Sequence, residues 1–397
     1  MTENKAVKKM IGNVFNDIAD AMQTGQFGKK ARIGLTTLGS EHGVETLIQG
    51  AEMAAQMCSD YEVILIGPKN DTKFQTIEVN EEEMMHKTME KLLEDGTIDA
   101  CVTMHYNFPI GVATVGKVFT PGKGKEMYLA TTTGTTSTHR VESMVKNALR
   151  GIIVAKACGI ENPSVGILNL DGSRQVERAL KELNSNGYPI NFQESMRSDG
   201  GCVMRGNDLL AGTPDVMVQD TLSGNIFMKV FSSFTTGGEY ESMGYGYGPG
   251  IGDGYDKTVL ILSRASGTPV VANAIKYAAD LIKGNIKEVA KREFDLARAA
   301  GGEAILKSLI KGTQKAACDE RDKEVTAPPH EVVTGSISGI DIMDLEDAVT
   351  ALWKKGIYAE SGMGCTGPVV MVSEAKLQRA IQELKEAKFV AQEADPC

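Results

Sequence analysis

The segment Ser361-Gly-Met-Gly-Cys-Thr-Gly-Pro368 sets a single thiol, Cys365, among glycines at 362, 364 and 367. Glycines let successive backbone N–H groups converge on one point, and such a concavity holds anions and developing oxyanions. A thiolate there is stabilised, and so is the oxyanion of an acyl group bound to it, with Gly364, Thr366 and Gly367 as the donor loop. The pattern is that of a cysteine nucleophile for acyl transfer. A small residue tolerated in a tight loop is the plainer alternative.

Three further segments place polar groups just beyond apolar, strand-like runs. Ser263-Arg264-Ala-Ser-Gly267 follows TVLIL, and an arginine fork there fits phosphate bidentately. Asp220-Thr-Leu-Ser-Gly-Asn-Ile226 follows DVMVQ and opens a helix, so Ser223, Gly224 and Asn225 are expected near a phosphate held by helix N-terminal amides. The run Ala130 to His139 again links strand to helix, and Thr135 is the candidate for lining a phosphate or acyl pocket. The plainer readings are a solvent-facing arginine at 264 and an ordinary capped turn for the other two segments. Cys101 and His105 lie four apart on one expected strand, at about 13 Å for ideal geometry, so they form no ready-made dyad. Cys101 is expected to be a buried cysteine and His105 a strand-end residue facing the cleft, both retained as possible auxiliaries.

The elements that must position these groups alternate. Strands at ARIGLTTL, YEVILIG, IDACVTMHY, MYLATTT, SVGILNL, DVMVQ and TVLIL are interleaved with helices near 45–58, 81–94, 141–157, 175–184, 225–231, 270–282 and 286–298. Short apolar strands alternating with helices call for a mostly parallel sheet covered on both faces. Pro109 is expected to start a helix. The stretch from Gly237 to Asp256 lacks the G-x-G-x-x-G register, and no Gly-Lys step is followed by Ser or Thr, so neither a dinucleotide fingerprint nor a Walker loop is met. It reads as a flexible or inter-subunit loop, or more sharply as a lid over a small substrate.

The domain expectation is a helical extension over 1–30, an α/β domain over 31–311, a charged linker over 312–333 and a Cys-loop region over 334–397. Forty-two Lys and Arg against 52 Asp and Glu give a formal charge of −10, which leaves no positive surplus for nucleic acid. Seven cysteines without C-x-x-C spacing fit a reducing cytoplasm rather than a disulfide framework or a zinc ribbon. No signal-like segment or run of 18 apolar residues points to a membrane. No metal-ligand spacing such as H-E-x-x-H occurs, and no cofactor is expected.

The segments KARIGLTTLGSEHGVETLIQGAEMAAQ, CGIENPSVGILNLDG and PDVMVQDTLSGNIFMK resemble the bacterial phosphate acyltransferases of phospholipid synthesis, and LSRAS is similar to the Ser-Arg motif of the phosphate acetyl- and butyryltransferases. The resemblance covers about Ala31 to Lys311 and implies a two-subdomain α/β/α fold related to isopropylmalate dehydrogenase. One departure is His-Tyr-Asn-Phe-Pro at 105–109, where those enzymes carry small residues. With the SGMGCTGPVVMV tail and the N-terminal helix, the whole chain resembles the alpha-subunit family of component C of glycine/sarcosine/betaine reductases. That resemblance implies acetyl phosphate formation by phosphorolysis of an acetyl thioester on Cys365, inside a thioredoxin-linked oxidoreductase complex. The acetyl group would derive from a carboxymethyl group on selenoprotein A. The implied partners are a ketoacyl-synthase-like beta subunit and selenoprotein A, with inorganic phosphate as substrate. The alternatives are a stand-alone phosphate acyltransferase using acyl carrier protein or coenzyme A thioesters, and a non-catalytic scaffold subunit.

Overall fold

The computed structural model describes residues 30–197, 201–309, 325–341, 344–364 and 367–390, with Gly12 and Phe15. Of the expected N-terminal helix only Gly12 and Phe15 fall within these residues, and both are helical.

Twelve strands form one continuous sheet. Its first half comprises β1 (Ala31–Thr36), β2 (Tyr61–Gly67), β3 (Gln75–Glu78), β4 (Ala100–Thr103) and β12 (Val259–Ile261), all parallel in the order β3-β2-β1-β4-β12. The second half comprises β5 (Ala113–Phe119), β6 (Glu126–Gly134), β7 (Ser164–Leu168), β8 (Asn191–Phe192), β9 (Val203–Met204) and β10 (Val216–Val218). Between the halves lies β11 (Gly248–Ile251), antiparallel to both β12 and β5, so the order continues β11-β5-β6-β10-β7-β8 with β9 also on β7.

Strand side chains alternate between two faces. Ile33, Leu35, Val63, Leu65, Ala100 and Val102 share one buried cluster with α1 (Gly43–Met57) and α7 (Thr268–Lys283). Ile64, Ile66 and Cys101 point the other way, into a cluster with Met85 and Met89 of α2 (Glu82–Glu94). The second half repeats the device. Val165, Ile167, Val216 and Val218 pack toward α3 (Arg140–Ala157) and α4 (Ser173–Ser185), whereas Met127, Leu129 and Met217 pack toward α6 (Thr221–Ser233). Strands apolar on both faces are what a doubly covered sheet requires. The result is an α/β/α sandwich with a mostly parallel sheet, as the alternation predicts.

Several local expectations are corrected. Pro109 starts no helix; the chain turns through Ile110 and Gly111 into β5, whose ATVGKVF sequence pairs with β6. The glycine-dense segment is neither lid nor flexible loop over residues 244–251, which are buried and run into β11 at the middle of the sheet. A Cβ on Gly248 would stand 1.9 Å from the Val115 carbonyl oxygen, so glycine is required for β11 to lie against β5. The helix expected at 225–231 begins at Thr221. A short helix, α5 (Gly206–Ala211), goes unsignalled, and α8 (Ile286–Ala299) is followed by helical residues 302–309.

Residues 335–390 build a second core. Strands β13 (Gly335–Ile337), β14 (Ala359–Gly364) and β15 (Gly367–Val372) pair antiparallel in the order β13-β15-β14, and α9 (Leu345–Lys354) and α10 (Leu377–Glu386) cover them around Val349, Leu352, Val370 and Leu384. Just before α10, the Ser373 hydroxyl donates to Glu331 at 2.9 Å. This unit is tied to the sandwich at the N-terminus of α4. Asp341 accepts from the backbone N–H of Gly172 and of Arg174, both at 3.2 Å, and Asp344 accepts from Gln175 at 2.8 Å and Arg178 at 2.7 Å.

Candidate active site

A cavity of about 470 Å³ opens where the carboxyl ends of β4, β12 and β6 meet α6. Parallel α/β sheets bind ligands at such strand ends because loops and helix N-termini converge there. Five of the residues singled out from sequence line it together: His105, Thr135, Asn225, Ser263 and Arg264. They come from four separate stretches of chain, brought together only by the sheet order.

Arg264 is held by its backbone and leaves its side chain half exposed. Its carbonyl accepts from the Glu41 N–H at 2.9 Å, and its Nη2 meets Glu82 Oε1 at 3.3 Å. An exposed single contact of this kind is weak, so the fork is available to an anion. Ser263 is buried beside it, and its Oγ accepts from the Ala265 N–H at 3.2 Å. Asn225 donates from Nδ2 to the Thr132 carbonyl at 3.1 Å, which fixes the amide at the cavity wall.

Sequence reasoning missed three participants. Lys229 and Tyr247 line the cavity, and Glu241 is buried behind it, with Oε2 accepting from Ser266 Oγ at 3.0 Å and Oε1 lying 4.0 Å from Lys229 Nζ. Burial pushes the Glu241 carboxyl above the usual range, although Ser263, Ser266 and Lys229 pull it back. Burial works against the Lys229 ammonium, but Tyr247 and Glu241 outweigh it and hold it above the ordinary lysine value. Lys229 had a signal: it stands one helical turn after Asn225 and therefore shares its face. Glu241 had none, since it reaches the site through a glycine-dense segment.

Two expected phosphate ligands are displaced from that role. Neither Ser223 nor Gly224 lines the cavity. The N–H of Ser223 is taken by Asp220 Oδ1 at 2.8 Å and that of Gly224 by the Asp220 carbonyl at 3.0 Å. Gly224 serves packing, because a Cβ there would lie 1.8 Å from the Thr131 carbonyl oxygen of β6. Asp220 is itself anchored by Arg140 Nη2 at 2.6 Å.

Cys101 is also removed as an auxiliary. It is fully buried, faces Ile64, Met85 and Val259, and burial drives its thiol far above the ordinary range, so it supplies no thiolate. His105 lies past the end of β4 and is exposed at the cavity, whereas Cys101 is enclosed within the sheet's core. In the C-terminal unit, Gly364 and Gly367 stand opposite each other in the β14–β15 ladder rather than in an open glycine loop. Cys365 and Thr366 lie outside the described residues.

Chemically, the cavity offers the cationic side chains of Lys229 and Arg264, hydroxyls that include those of Ser263 and Thr135, and the amides of Asn107 and Asn225, with the Glu41 carboxylate also in its wall; the donors suit a small oxyanion such as phosphate. Among the described residues no three His, Cys, Asp or Glu side chains gather as a metal site, and no helix is long and apolar enough to cross a membrane.

The sequence profile of the family described as Fatty acid synthesis protein matches residues 31–371. The chain is 65% identical over 385 residues, 97% of its length and 99% of the relative's, to the glycine/sarcosine/betaine reductase complex component C subunit alpha of Peptoclostridium acidaminophilum. It is 26% identical over 238 residues, 50% of its length and 67% of the relative's, to the phosphate acyltransferase of Thermotoga petrophila. Among solved structures, a 4-hydroxythreonine-4-phosphate dehydrogenase from Klebsiella pneumoniae aligns with a TM-score of 0.38 at 12% identity, over 64% of this chain and 98% of that one.

Proposed function

Since the chain belongs to the fatty acid synthesis protein family, with the component C alpha subunit of glycine/sarcosine/betaine reductase as a full-length relative, we propose that it transfers an acetyl group from a protein thioester to inorganic phosphate. Cys365 carries the acetyl group. Arg264, Lys229, Ser263, Asn225 and Thr135 hold phosphate in the strand-end cavity. A phosphate oxygen bonds to the acyl carbon, the C–S bond breaks, and the proton of the hydrogen phosphate passes to the departing thiolate. The products are acetyl phosphate and the free Cys365 thiol, with no change in oxidation state.

The observation that carries this reading is the convergence of Ser263, Arg264, Asn225 and Thr135 on one cavity with a second cation, Lys229, beside them. Two cations offset the charge of phosphate and of the tetrahedral oxyanion, and alignment of the reactants lowers the barrier further. The group is delivered within a cytoplasmic complex by a ketoacyl-synthase-like beta subunit acting on carboxymethylated selenoprotein A. Phosphate binding tests the cavity assignment directly. Inorganic phosphate raises the thermal unfolding midpoint of the chain in a concentration-dependent way, and Arg264→Gln removes that rise. An equal rise in the variant contradicts the assignment.

A further inference from the structure

A second cavity, of about 620 Å³, lies on the other side of the segments that wall the first. His105–Phe108 and Thr133–Thr135 line the first cavity, whereas Pro109–Val112 and Thr136 line the second. Ile110, Val112, Leu149, Phe294 and Leu306 give this second space an apolar wall. Arg150, only 3% exposed, lines it too.

The surroundings of Arg150 are unusual for a buried charge. Its Nε donates to the Ile251 carbonyl at 2.8 Å and its Nη2 to the Gly111 carbonyl, while Nη1 has no partner among the described residues. Both acceptors are neutral. Burial pulls the guanidinium down to about 10, and the field of Asp253 offsets only part of that. It remains charged at neutral pH, and a buried charge without a counter-ion is strongly unfavourable. The other cations lining the cavity are each met by an acid: Lys146 by Glu142, Arg298 by Asp253 at 2.7 Å and Lys307 by Glu303 at 3.6 Å. Arg150 alone is left to be answered.

We infer that this cavity binds a carboxylate bearing an apolar body, its head on Arg150 and its body along Leu149, Phe294 and Leu306. A carboxylate supplies both the missing charge and the missing acceptor, and one free nitrogen suits a single-headed monoanion better than a phosphate dianion. A space with an apolar wall and a few placed polar groups, of which only the Arg150 guanidinium lacks an acid partner among the lining cations, is the common form of a small-molecule site. The site is independent of the acyl-transfer reading. It is nonetheless one residue from the first cavity, because Gly111 accepts from Arg150 and donates its N–H to the Thr135 carbonyl at 2.9 Å.

Calorimetric titration of the full chain with hexanoate, hexanol, hexylamine and hexyl phosphate tests the inference. Hexanoate binds with a stoichiometry of one, and more tightly than the other three. Arg150→Lys weakens it by about tenfold or more, the worth of one charge-assisted hydrogen bond. Leu306→Trp fills the apolar end, leaves every bond of Arg150 in place and abolishes binding, so the test survives a misfolded Arg150 variant. Arg264→Gln leaves hexanoate affinity unchanged, which separates this site from the first cavity. Absence of saturable hexanoate binding, equal binding of hexanol, hexylamine or hexyl phosphate, indifference to Leu306→Trp, or loss in Arg264→Gln each overturns it.

Discussion

Lys229 Nζ stands 4.0 Å from Glu241 Oε1 at the edge of the strand-end cavity, a cation half in solvent facing a carboxylate that is buried. The other oxygen of Glu241 accepts from Ser266, three residues beyond Ser263. Glu241 thus joins the lysine of α6 to the loop that carries Arg264, and its protonation state bears on both.

The Glu241 carboxyl is held above its unfolded value by burial, so the folded protein binds its proton more tightly than the unfolded chain does. The stability this contributes is fully present below the ordinary glutamate range and is lost as pH rises through the raised folded value. Glu241→Gln removes that dependence. Thermal midpoints measured from pH 4 to pH 8 show the wild type losing ground to Glu241→Gln with rising pH; a wild type that keeps pace with or gains on the variant as pH rises contradicts the assignment.

Arg264 is half exposed and makes one weak ion pair, so its removal leaves the fold alone. Arg264→Gln raises the KM for phosphate by about tenfold to a hundredfold, the range for one or two charge-assisted hydrogen bonds. Steady-state acetyl phosphate formation and circular dichroism together check it. Unchanged KM with reduced kcat would assign Arg264 to the acyl group instead.

Gly224 has no room for a side chain, because the Thr131 carbonyl lies 1.8 Å from where its Cβ would be. Gly224→Ala pushes α6 off β6 and costs about 1–3 kcal/mol or more, the usual penalty of overpacking. It also moves Asn225 and Lys229, so denaturant stability and phosphate affinity fall together. A variant with wild-type stability would show that α6 is not seated as described.

Much of this architecture was legible because it rests on periodicity. The continuous apolar runs in YEVILIG and ARIGLTTL announce strands buried on both faces, and Ser263 could be placed beyond TVLIL and Asn225 beyond DVMVQ. Three features escaped for physical reasons. β11 is the four-residue strand GPGI, half glycine and one proline, with few side chains to carry a pattern. The ATVGKVF segment after Pro109 pairs as a β-strand despite a proline that equally suits a helix start. Ser223 and Gly224 look like phosphate ligands by type, yet Asp220 occupies their N–H groups, a competition visible only once α6 is known to start at Thr221.

The C-terminal unit hangs on the sandwich partly through Asp341, which accepts from two N–H groups at the start of α4. Asp341→Ala destabilises that junction by about 1 kcal/mol, the typical worth of a helix cap. Limited proteolysis between the two cores accelerates while the main unfolding transition shifts little. Unchanged proteolysis would mean the junction is held elsewhere.

Transfer from Cys365 to phosphate is tested most directly by loading the chain with a labelled acetyl thioester donor and following the label on the peptide spanning residues 361–368. The account predicts label on Cys365 that leaves as acetyl phosphate when phosphate is added, and that leaves far more slowly at the same subsaturating phosphate concentration in Arg264→Gln. Label that never reaches this peptide, or that leaves it at the same rate without phosphate, contradicts it.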